Sequence, residues 1–98
     1  MKDNEFDKRF WGRADQFIKL ANEQSHESNP GEVNSSFLYA AARYNAFIAA
    51  ATAQNIDELK KNKEEAIRYF STQYKEAFVE NIEDWIKNYE KQINDNDS

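Results

Sequence analysis

The chain has 98 residues, 40% hydrophobic and 14% aromatic, enough for one domain, and its formal charge of −5 leaves no basic face of the kind phosphate contacts need. Cysteine is absent, which excludes disulfides, thiolate nucleophiles and cysteine-based metal sites together and fits a reducing compartment. The opening MKDNEFDKRFW carries acids where an export signal needs an apolar run, so a cytoplasmic location is expected.

The first element is read from Phe6, Phe10, Ala14, Phe17 and Ala21, which recur three or four residues apart, with Trp11, Ile18 and Leu20 widening the stripe. That pattern predicts a helix from about Asn4 to Ser25. Gly12 falls on its polar side, where it costs about 1 kcal/mol relative to Ala without breaking the helix. Next comes Ser28-Asn29-Pro30-Gly31-Glu32, which holds the single proline and one of the two glycines. Pro then Gly suits the central positions of a type II turn. Asn34 is the expected cap of the second helix, with Val33 before it stapled onto Leu38.

Ser35 to Ala53, SSFLYAAARYNAFIAAATA, holds eight alanines, four large aromatics and one charge, Arg43. A helix so apolar on every side is expected to be wrapped by the rest of the chain, with Phe47 as a core residue. Its bulkier face carries Phe37, Ala40, Tyr44, Phe47, Ile48 and Ala51; the opposite, smaller one carries Tyr39, Ala42, Arg43, Ala46 and Ala50. The segment is too short, and owes too much of its apolarity to alanine, to be read as a membrane span.

Asn55-Ile56-Asp57-Glu58 reads as a capping box that starts a third helix. Its apolar positions run from Leu59 through Ala66, Ile67, Phe70, Tyr74, Phe78, Ile82, Trp85 and Tyr89 to Ile93, and the stripe drifts by roughly 160° around a straight rod. A bend or break is therefore expected near Asn81, where Asn81-Ile82-Glu83-Asp84 offers a second cap and a short fourth helix would span about Ile82 to Gln92. The fold class that follows is all-α, an antiparallel three-helix bundle with a long last helix. Residues 1–93 form a single helical domain, and 94–98 are expected to be a disordered tail.

Candidate functional residues are few. Arg43 must reach solvent or meet an acid, with Asp15 and Glu65 at suitable heights, or else anchor an anionic group beside Tyr39. Asn45 is a polar group on an apolar helix, able to fix register or an oligomeric state. His26 stands alone near the end of the first helix, and Glu23-Gln24-Ser25-His26 matches the Glu-x-x-His spacing of di-iron bundles just once, where two copies are needed. Lys60, Lys61 and Lys63 are followed at once by Glu64 and Glu65, which argues against nucleic acid. Tyr69, Tyr74, Trp85 and Tyr89 could line an aromatic groove, although at helical spacing core is the simpler reading. No catalytic residue, metal site or cofactor is expected.

The run Phe37-Leu38-Tyr39-Ala40-Ala41-Ala42-Arg43-Tyr44-Asn45-Ala46-Phe47, after Asn29-Pro30-Gly31 and before Tyr69-Phe70 and Tyr74, resembles a family of short bacterial proteins known as domain of unknown function 3144. The resemblance covers about Phe10 to Tyr89. It implies a bacterial, intracellular helical domain and transfers no site residues, while drawing interest to Tyr39, Arg43, Tyr44 and Asn45. The functional expectation is a non-enzymatic helical interaction module with a protein partner or a second copy of itself, and with no role at membranes. The rival expectation is a small-ligand or enzymatic pocket around Arg43, Tyr39 and Asn45 that recognises an anionic group.

Overall fold

The computed structural model describes residues 4–89 and 91, so the expected tail at 94–98 lies outside the described residues. Among the described residues the fold is all-α, with three helices in the expected order: α1 over Asn4–Glu27, α2 over Pro30–Thr52 and α3 over Ile56–Lys87. The chain divides into two compact units at Phe47 and Ile48, one with α1 and most of α2, the other with the last turn of α2 and all of α3.

In the first unit α1 runs through Gly12 without interruption. Phe6 stacks on Phe10 at 6.4 Å and Phe10 meets the edge of Trp11 at 4.8 Å, so these rings pack along the helix that carries them. Ser25 Oγ donates to the Ala21 carbonyl and the Ser28 amide to that of Gln24, which closes the helix end.

The start of α2 corrects the expectation. Pro30 and Gly31 do not form a separate turn, and Asn34 is not the cap; the helix begins at Pro30. Asn29 Oδ1 accepts from the Gly31 amide at 2.6 Å, and the Val33 amide donates to the Asn29 carbonyl at 3.1 Å, as an N-cap residue requires. Proline fits the first helical position because its missing N–H is unpaired there in any case. Ser28 Oγ also donates to Glu32 Oε1. Val33 therefore sits inside the helix rather than before it, and among the described residues it alone is buried, at 8% exposure.

The second unit turns on the connection from Ala53 to Asn55. Thr52 Oγ1 donates back to the Ile48 and Ala49 carbonyls, and the Ala53 amide to that of Ala50, tightening the last turn of α2. The expected capping box is present: Glu58 N donates to Asn55 Oδ1 at 2.9 Å, while Glu58 Oε1 accepts from the Gln54 amide, one residue before the cap. Ala49, Ala53, Leu59, Ala66 and Phe70 are half-buried around this corner, where alanine on α2 leaves room for the larger side chains of α3.

Two further expectations are corrected. α3 does not break at Asn81; it stays hydrogen-bonded to Lys87, so no separate fourth helix begins at Ile82. Asn81 Nδ2 donates back to the Ala77 carbonyl at 2.8 Å, the bond an Asn makes inside a helix rather than at its start. Asn88 instead forms the C-cap, its amide donating to the Asp84 carbonyl. The second correction concerns burial. Phe47 is 59% exposed and Tyr44 62%, so α2 is not wrapped as its composition suggested. Apolar side chains on all sides show that a helix needs cover without showing where it comes from.

Candidate functional site

The candidate site lies on α2 within the first unit. Tyr39 and Arg43 are one turn apart, and the Arg43 guanidinium carbon stands 5.1 Å from the centre of the Tyr39 ring, a cation–π arrangement at an exposed position. A guanidinium placed over a ring can still offer N–H groups to an anion. Ser35, Ser36, Ala40, Tyr44 and Phe47 continue the same open face, and the Tyr44 and Phe47 rings lie 5.8 Å apart.

Asn45 is not brought to this cluster. Two residues beyond Arg43, it projects about 200° further round the helix, and it is half-buried. The structure thus joins two of the three candidates and sets the third on another side. His26 is exposed in the last turn of α1. Among the described residues no group of three or more His, Cys, Asp or Glu side chains is placed to hold a metal ion. No helix among them is long and apolar enough to cross a membrane.

A second apolar surface was only partly visible in the sequence. Tyr74, Phe78, Val79, Ile82, Ile86 and Tyr89 on the later part of α3 are each exposed, between 42% and 71%, while Trp85 is half-buried. Tyr74 stacks on Phe78 at 5.9 Å. Ile86, the most exposed of the six, belonged to no expected groove, because attention to ring-bearing residues passes over it.

Fold and surface together define an all-helical protein many of whose aromatic side chains are exposed on helix faces. Residues 10–86 match the model of the protein family of unknown function DUF3144, and the chain belongs to that family. It is also similar to the protein NB7890A from Shewanella sp., solved by NMR, with 38% sequence identity, 83% of this chain and 86% of that chain covered, and a TM-score of 0.72. No match is found among curated proteins.

Proposed function

We propose that this chain is a non-enzymatic helical interaction module of the bacterial cytoplasm. One observation carries the reading: large apolar side chains on all three helices, among them Phe10, Trp11 and Phe17 on α1, Tyr44 and Phe47 on α2, and Phe78 and Ile86 on α3, are more than half exposed. Exposed apolar surface on this scale marks sites of protein association, and aromatic anchors of this type dominate interface energies. The absence of cysteine supports the location.

The test is affinity capture from bacterial cells with the native chain and with a Tyr44→Ser/Phe47→Ser variant. A partner, or a second copy, retained by the native chain and lost by the variant at equal helicity is the expected result. A native chain that stays monomeric at high concentration and retains nothing would overturn the reading.

Anion binding at Arg43 is a second reading, favoured by the stacking of its guanidinium on Tyr39. It expects an anionic metabolite to raise the melting temperature of the native chain but not of Arg43→Met. A metabolite panel without any shift for the native chain would remove it.

A further inference from the structure

Arg43 is isolated by charge. Between Glu32 and Asp57 in sequence it is the only charged residue, in a chain that carries 13 basic and 18 acidic side chains. Glu32, the acid on α2, lies three helical turns away, about 16 Å along the axis. Among the described residues no acid pairs with the guanidinium, and its partner is the Tyr39 ring, 5.1 Å away at the centre. Its N–H donors are left for an acceptor from outside the chain.

The side chains beside it form a shallow hollow within the first unit. Ala40 supplies a floor of one methyl group. Ser36 stands one turn before it, Arg43 and Tyr44 one turn after, Phe47 a turn further, and Tyr39 next to it. The Tyr44 and Phe47 rings, 5.8 Å apart, make the apolar wall.

We propose that this hollow binds a small monocarboxylic acid bearing one aromatic ring, with the carboxylate on Arg43 and the ring over Ala40 against Tyr44 and Phe47. The proposal rests on the anion-binding reading and names the class of anion. Charge selects the head group. A carboxylate carries the single negative charge that one guanidinium neutralises, and its two oxygens match two parallel N–H donors. A phosphate monoester carries about −1.5 to −2 at pH 7, and the excess would stand unmatched on a chain of net charge −5. The walls select the body. An exposed ion pair strengthens binding by about fivefold at most, so a bare ion is held too weakly and apolar area laid on the rings must supply the rest. One ring suits a floor of one alanine. A ligand of about a dozen non-hydrogen atoms is then held at about 1 to 10 mM.

The probes are 3-phenylpropionate, its neutral amide, acetate and inorganic phosphate, each titrated into the nitrogen-15-labelled chain and followed by backbone amide shifts. 3-Phenylpropionate should shift the amides from Ser36 to Phe47 and saturate, with acetate and the neutral amide each at least about fivefold weaker. Arg43→Met should bring the acid down to the level of its amide. Ala40→Leu, which fills the floor with another good helix former, should weaken 3-phenylpropionate at least about fivefold and leave acetate unchanged. Acetate or phosphate binding as tightly as 3-phenylpropionate would overturn the aromatic class and leave anion binding at Arg43 standing. No response to any of the three anions would remove both. Equal binding of the acid and its amide, or shifts spread equally over the rings of α1 and α3, would also overturn the proposal.

Discussion

The two ends of α3 both carry aromatic and aliphatic side chains at helical spacing, in different surroundings. From Ile56 to Phe70 the helix is fastened by the Asn55 cap and half-buries Leu59, Ala66 and Phe70 near Ala49 and Ala53 of α2, while Ile56, Ile67 and Tyr69 stay exposed; at the later end Trp85 alone of the apolar side chains is half-buried. From Tyr74 to Tyr89 the same classes of residue recur at helical spacing, yet Phe78 is 51% and Ile86 71% exposed. The difference teaches that an apolar stripe specifies a helix and its sticky side, while cover depends on a neighbour, which Ala49 and Ala53 supply to the first end.

The sharpest way to break this contrast is to truncate one ring at each end and measure urea unfolding at low micromolar concentration. Phe70→Ala is expected to cost about 2 to 3 kcal/mol, below the 3 to 5 of a fully buried ring because Phe70 is only half-buried. Phe78→Ala should cost less than about 1 kcal/mol under the same conditions. Equal losses would mean that the second ring is covered after all, and the contrast would fail.

Asn55→Ala probes what fastens the first end. Loss of the bond from the Glu58 amide should lower stability by about 1 kcal/mol, read from the same curves, and Asn55→Asp should restore most of it. The smallest effect is the most discriminating in sign. Asn81→Ala replaces a side chain that bonds back to Ala77 inside a helix, so helicity and stability should rise by about 0.5 kcal/mol. A loss of about 1 kcal/mol would show that Asn81 caps a separate helix.

The sequence was most legible where the determinant is local. Asn55 and Glu58 announce the start of α3 because a capping box involves only neighbouring residues, and the stripe of α1 follows from its period alone. Pro30-Gly31 was ambiguous because both a type II turn and a first helical turn accept proline; the bond from Gly31 to Asn29 selects the second. Asn81 misled because the side chain that caps a helix from outside can also bond back to it from within. Phe47 misled for another reason, since the demand for burial is written in the chain but its supplier is not. Of the candidate site, the contact between Tyr39 and Arg43 was readable from their four-residue spacing, and the divergence of Asn45 follows from the helical angle.

Trp11, 58% exposed on α1, and Trp85, half-buried on α3, are the two tryptophans of the chain, one in each unit. Intrinsic fluorescence is therefore naturally divided. A Trp11→Phe chain reports optically on the later part of α3 alone, and a Trp85→Phe chain on α1 alone, so the order in which the two halves lose their structure can be followed without attaching any dye.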